Sequence, residues 1–581
     1  MRVYRKGGTA TAKLVSNAVN LTGLRETRGA DTSNAFEGDR DMDRRVILKS
    51  LPLALAAGPV LWTTTARAGE PIYYCETNDM AVVVSAASTK PGSNWSRKSL
   101  QQAIEIAQKA RKPLNILPGI YSASQLTVSA PIEIYAMPGT VLIIPSGPSC
   151  VNLAIDSIDD VTLRGIGFSG KTLPFAAPAG RISSPLPAMG EYGRIPNFNG
   201  IIAANNVQRL RIQDCTIGGS RACGIALWNC RSAEIRSNQF AANMVAVYVT
   251  NGGENLIADN TINRSGDGGI IVWQTPTNFD GTIIRGNHVY ATSALTTSTS
   301  TEVGGSGYFG NGIYAWQANN LIISENVCYR STFSGIRLLD CYDCNVSNNQ
   351  ILASGETALM IEAPYGSKPG PVTQTPFTTS GPATPHYEGV AISGNVVVGA
   401  GNGITVTNVW TGGRRAAITG NQVKTVKINT IRTSDPANPN YLTGGTGIEA
   451  EGDVVVNGNF VEDCEGPGVL LYNVGIEGSL FQVTASAIGN TVRNAPIGIA
   501  FHQQWPGETQ HPNFIFIEGN MLEGYTQGSI MAITWTFDSH NNANGYTLAD
   551  GTDWGRTPSG AAYVGKPYPN VAIGPNYALG G

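Results

Sequence analysis

The chain has 581 residues, of which 14% are charged, against about 25% in an ordinary globular domain, and 69 are glycine. A formal net charge of −3 and a pI near 6.0 exclude the basic excess of a general nucleic-acid binder. Nine cysteines lie scattered without zinc-finger spacing. Cys341 and Cys344 form a lone Cys-x-x-Cys with no thioredoxin-like βαβ pattern around it, so the cysteines read as small buried apolar groups with room for one surface disulfide.

Residues 1–41 show no apolar periodicity and precede Met42, which reads as the natural start. Asp43-Arg44-Arg45-Val46-Ile47-Leu48-Lys49 leads into the apolar run Leu51 to Trp62, and Ala66-Arg67-Ala68 supplies a small-x-small cleavage pattern. Paired arginines, a short apolar stretch and that site predict a cleaved twin-arginine export signal over 42–68. The mature chain would begin near Gly69, periplasmic or secreted, with the twin-arginine machinery as a partner. The apolar run of 12 residues is broken by Pro52 and Pro59. A bilayer span needs about 20, so no membrane span is expected in the mature protein.

Ser99 to Lys112 places Leu100, Ala103, Ile104, Ala107 and Ala110 on one helical face, and Pro113 ends the pattern. The phrase Leu117-Pro118-Gly119-Ile120-Tyr121 follows. From about 150 to 530 one unit then recurs: an alternating strand, an Asn with an apolar residue two on, a small-residue turn and Gly-Ile-x-apolar. The marker asparagines are Asn238, Asn260, Asn287, Asn326, Asn349, Asn395, Asn421, Asn459, Asn490 and Asn520, with Asp214 reading as their counterpart one unit earlier. The tightest spacings, 22 and 23 residues, hold three short strands and their turns, which is one solenoid coil. Asn suits a sharp left-handed corner, and stacked asparagines can hydrogen-bond along the axis. The predicted fold is an all-β solenoid, a right-handed parallel β-helix over 69–535 with an N-terminal capping helix. Residues 536–581 form a C-terminal cap or tail; capping is expected, because an open last coil exposes strand edges.

The helix, the Leu-Pro-Gly-Ile-Tyr phrase and the Asn coils together resemble the pectate-lyase-like β-helix superfamily. With the leader, the chain is similar to the twin-arginine-translocated uncharacterised repeat proteins, a family that implies no particular reaction. In lyases of the superfamily the base is commonly Arg or Lys, often with calcium, so the resemblance nominates Arg337 and admits calcium as a cofactor. The combined Asn-Thr-Asp, Asp-Asp, Gly-His-Gly and Arg-Ile-Lys set of polygalacturonase-type hydrolases is absent, as is the Arg-x-Pro-x-x-Arg of pectate lyases. Asp156, Asp159 and Asp160 do not reproduce a calcium loop.

Extra residues gather beside the Gly-Ile-x-apolar strand, at roughly 169–199, 291–310, 363–388, 428–446 and 503–513, which marks that side as a binding face. If Ile225 and Leu227 point inward, alternation turns Ala226 and Trp228 outward. The same count exposes Tyr248, Trp273, Tyr314, Trp316, Arg337, Glu362, Thr405, Thr407, Glu449, Glu451, Tyr472 and His502. Trp228, Tyr248, Trp273, Tyr314, Trp316 and Tyr472 are therefore candidate sugar-binding surfaces. Arg337, Glu362, Glu449, Glu451 and His502 are candidate catalytic groups, and no metal ligands are assigned. The alternatives are that loops cover the aromatics and that Arg337 forms a surface ion pair with Asp340. Three functions fit: a polysaccharide lyase, epimerase or hydrolase; a non-catalytic binder of glycan or cell envelope; or a periplasmic scaffold for cofactor maturation.

Overall fold

The computed structural model describes residues 71–579 except 124, 147–151, 171–199, 221–222, 275–278, 293–309, 340, 363–388, 408–415, 433–439, 452, 473–483, 503–513, 538–542, 558, 560 and 569. The predicted leader lies outside the described residues. Among those described, no helix is long and apolar enough to cross a membrane.

Each coil contributes three strands. Glu234–Arg236, Gln239–Ala241 and Val245–Thr250 make one coil, and Leu256–Ala258, Thr261–Asn263 and Gly268–Trp273 make the next. Each strand of the first pairs in parallel with its counterpart in the second. Alternation sends one set of side chains inward, where Ile212, Ile235, Ile257, Ile284 and Ile323 stack along the axis as one column of the core. The described cysteines, eight in number, are all buried, as small apolar side chains would be.

From Asn238 onward the asparagines occupy one corner of successive coils and are all buried. Asn238 donates its backbone N–H and its Nδ2 to Asn260 Oδ1, each at 3.0 Å, and its Nδ2 also reaches the Ile212 carbonyl at 2.8 Å. The same pattern passes through Asn287, Asn326, Asn349, Asn395, Asn421, Asn459, Asn490 and Asn520 to Asn576. Two details correct the sequence reading. The left-handed residue is the one before each asparagine, such as Ser237 at φ 56 and Asp259 at φ 56. Asp214, at φ 55, holds that preceding position, and Cys215 stands in the ladder, its N–H donating to Asn238 Oδ1.

Glycine opens the long strand because coils approach closely there. A Cβ on Gly403 would lie 2.1 Å from the Gly447 carbonyl oxygen, and one on Gly447 would lie 2.5 Å from that of Gly468.

The helix Leu100–Ala110 closes the N-terminal end of the core with Leu100, Ala103, Ile104 and Ala107, while Ala110 is exposed. Ser99 and Gln102 form a capping box, and Arg111 ends the helix in the left-handed conformation at φ 54. Gln101 and Gln108 bond the backbone of Thr127 and Ala130, so the helix pairs strand-edge groups as well as covering apolar ones. At the other end, Val571–Ile573 and Tyr577–Leu579 add parallel strands to the last coil, and Ala543–Asp553 pairs antiparallel with Gly528–Phe537.

Candidate functional site

The outward side of the long-strand sheet carries two rows of side chains in register. The first runs Ala226, Tyr248, Ile271, Tyr314, Arg337, Met360, Thr405, Glu449, Leu470, Ala500 and Met531. The second runs Trp228, Thr250, Trp273, Trp316, Leu339, Glu362 and Thr407. Further along that side, Glu451 pairs with Tyr472 and His502 with Ile533. The predicted residues thus share one face, and consecutive coils bring them within about 4.8 Å steps of one another.

The expectation of exposure is corrected. Tyr248, Tyr314, Arg337, Glu362, Thr405, Glu451 and His502 are buried, and Trp273 and Trp316 each keep 9% exposure. Trp228 and Glu449 are half-buried. Alternation fixes the direction of a side chain and says nothing of what lies over it. Of the side insertions, 428–446 contributes an antiparallel pair, Thr430–Arg432 with Asn440–Leu442. Most of the others, with the side chain of Tyr472, fall outside the described residues.

The face divides into three zones along the axis. The first is aromatic and apolar: Tyr248, Ile271, Trp273, Tyr314, Trp316 and Leu339 form a cluster separate from the main core, with Trp228 packed against it. Trp273 and Trp316 stack with ring centroids 4.6 Å apart and planes at 5°. The register of neighbouring coils sets this distance, so the offset-stacked geometry follows from placing two indoles at one row position.

The second zone is ionic. Arg337 Nε donates to Glu362 Oε1 at 2.5 Å, and its Nη1 reaches Glu356 Oε2 at 3.3 Å. Arg337 thus sits in a buried triad with Glu362 and Glu356, and the alternative of a pair with Asp340 falls on a residue outside the described ones. Burial pushes the Glu362 carboxyl above its ordinary range while the Arg337 guanidinium pulls it back. Glu356 was not foreseen because the register shifts between Ser354 and Thr357, where simple alternation stops counting correctly. An acid within an otherwise uncharged run of small residues was the available signal. Beyond the triad, burial raises the Glu449 carboxyl to about 7. Glu451 follows two residues on, pointing to the same side.

The third zone is again apolar, with Leu470, Ile497, Ala500, Met531 and Ile533 buried together. His502 lies beside it, and burial lowers its imidazole to about 4, so it is neutral at pH 7. Among the described residues no group of three or more His, Cys, Asp or Glu side chains is arranged to hold a metal ion.

Comparison with known proteins bears on the fold. Residues 199–303 match the family model described as the right-handed β-helix region. No curated protein matches the chain. Similar solved structures include the mannuronan C-5 epimerase AlgE6 A-module of Azotobacter vinelandii, at 12% identity and TM-score 0.34, covering 83% of this chain and 94% of that one. The catalytic domain of a GH87 alpha-1,3-glucanase aligns at 13% identity and TM-score 0.41, covering 77% and 70%. An exopolygalacturonase from Thermotoga maritima aligns at 10% identity and TM-score 0.33, covering 73% and 88%. At such values these likenesses bear on neither reaction nor substrate. The coil topology and the family match together identify the fold as a right-handed parallel β-helix.

Proposed function

We propose that this is an exported protein that acts on a polysaccharide, with the outward face of the long-strand sheet as its site. The observation that carries the reading is a juxtaposition on one face: the stacked Trp273 and Trp316 beside Glu362, Glu449 and Glu451 in the following coils. Aromatic planes fit the apolar faces of sugar rings, and paired carboxylates can supply an acid and a base. Export rests on the Arg44-Arg45 leader, and it places the substrate in the periplasm or outside the cell.

Hydrolysis is the chemistry these groups perform most directly. Glu449, raised to about 7, retains its proton over much of the neutral range and serves as general acid. Two residues of extended strand separate it from Glu451 by about 6.5 Å, close to the spacing at which water attacks between acid and base. The Glu449 carboxyl gives its proton to the glycosidic oxygen as the bond from that oxygen to the anomeric carbon breaks. Water adds to the anomeric carbon and passes its proton to the Glu451 carboxylate.

The test is a glycan screen on the full chain, reading both binding and new reducing ends. Product release that disappears in Glu449→Gln and Glu451→Gln supports the assignment. Release that persists unchanged in both variants removes the site from this face, and absence of binding and release across neutral, amino-sugar and acidic glycans overturns the polysaccharide reading. The alternative is a non-catalytic binder of glycan or cell envelope that uses the same face without turnover. Binding without products marks that alternative.

A further inference from the structure

We infer that the glycan accepted by this face carries no acid groups: it is an uncharged or amino-sugar chain, not a polyuronate. The inference rests on the polysaccharide reading above and narrows its substrate class.

A site for an acidic glycan needs a cation to meet the sugar carboxylate. Among the described residues of the two outward rows, Arg337 is the only basic side chain. It is already committed, to Glu362 at 2.5 Å and to Glu356 at 3.3 Å. Two carboxylates on one guanidinium leave an excess of acid, and Glu451, the base of the proposed hydrolysis, adds another acidic group beyond. A uronate arriving here would meet its own charge in a water-poor setting, where repulsion is least screened.

A second observation comes from Thr405. This side chain is 3% exposed, lies between Met360 and Glu449 in the first row, and its Oγ1 has no hydrogen-bond partner among the described residues. A buried hydroxyl left without a partner costs free energy until something supplies one. A sugar hydroxyl, which can accept from Oγ1 or donate to it, matches it.

The chemistry narrows accordingly. Elimination and inversion at the carbon next to a carboxylate both need a uronate, and both need a base that Arg337, held by two acids, is poorly placed to be. Hydrolysis needs neither.

The experiment measures affinities of the full chain for oligosaccharides of matched length: neutral hexose, amino-sugar and uronate, at fixed ionic strength. Neutral or amino-sugar chains are expected to bind at least about tenfold more tightly than uronates. Thr405→Val, which keeps shape and removes the orphan hydroxyl, is expected to weaken the favoured chain about tenfold with no fall in Tm. Glu356→Gln, which releases one arm of Arg337, is expected to raise uronate affinity. Tightest binding of uronates overturns the inference while the polysaccharide reading survives. Unchanged affinity in Thr405→Val removes the hydroxyl from the argument, and binding of no glycan overturns both readings together.

Discussion

Arg337 and Glu362 belong to neighbouring coils and to different rows of one sheet face, yet Arg337 Nε and Glu362 Oε1 lie 2.5 Å apart. The register partner of Arg337 in the next coil is Met360, so the ion pair runs diagonally across the strands. Glu356, its other partner, comes from the same long strand as Glu362, Gln350–Glu362, within the register shift. One guanidinium therefore ties the middle and the C-terminal end of that strand to the coil before it. This join stands at the boundary between the aromatic and acidic zones.

That geometry sets the cost of removing the cation. Arg337→Met takes the cation away from two buried carboxylates and is expected to lose about 3–5 kcal/mol of stability. The triple change Arg337→Met, Glu356→Gln, Glu362→Leu is expected to recover most of the loss, since it removes the charges together. Denaturant titration of both variants checks this, and a loss under about 1 kcal/mol in the single variant would contradict it.

The asparagine ladder makes a second demand. Asn395 Oδ1 accepts from the Asn349 N–H at 3.0 Å and from Asn349 Nδ2 at 2.9 Å, while its own Nδ2 serves the Val346 carbonyl and Asn421 Oδ1. Asn395→Ala strands buried donors and acceptors on both neighbours and is expected to cost about 2–4 kcal/mol, read as a fall in denaturation midpoint. Asn395→Asp keeps the acceptors and loses the donors. Its stability should therefore improve as pH falls and the carboxyl regains a proton.

The ladder was legible because an obligatory buried hydrogen bond leaves a residue type that recurs. Its phase was not, since Asp214 and Cys215 are adjacent and only the left-handed backbone of Asp214 shows which of them turns the corner. The outward rows were legible for a similar reason: a period of two is enough to separate Trp273 from Val272. Their burial was not, because covering depends on segments far away in sequence. The partner of Arg337 escaped for a third reason. Glu356 sits beside an irregularity, and alternation carries no information through a bulge.

Gly403 illustrates a constraint that pattern alone only hints at. Its missing Cβ would sit 2.1 Å from the Gly447 carbonyl oxygen and 2.5 Å from Val423 Cγ1. Both neighbours are held in the stack, so Gly403→Ala must push two coils apart. We expect a loss of about 1–3 kcal/mol, with a lowered Tm and unchanged secondary-structure content by circular dichroism. Gly420, whose added Cβ would meet nothing within 4 Å, tests a different cost: its φ of +63 penalises Ala through the backbone alone.

Glu449 and His502 pull the pH dependence of stability in opposite directions. Burial raises the Glu449 carboxyl to about 7 in the folded chain. The protonated form is thus favoured on folding, and its contribution is complete below the unfolded carboxyl value near ~4.3 and lost as pH rises through about 7. Burial lowers His502 to about 4, so the neutral ring is favoured, and its contribution is complete above ~6.5 and lost as pH falls through about 4. Glu449→Gln should accordingly shrink the fall in stability between about pH 5 and pH 8 by roughly 2 kcal/mol, and leave the acid limb unchanged. Asp280, also raised to about 7 by burial, keeps part of the alkaline fall in that variant. His502→Gln should flatten the acid limb between about pH 6.5 and pH 4.5 by a similar amount and leave the alkaline limb in place. Denaturation midpoints measured across pH for the two variants separate the limbs, and an exchange of their effects would mean that neither group is buried in the charge state assigned to it.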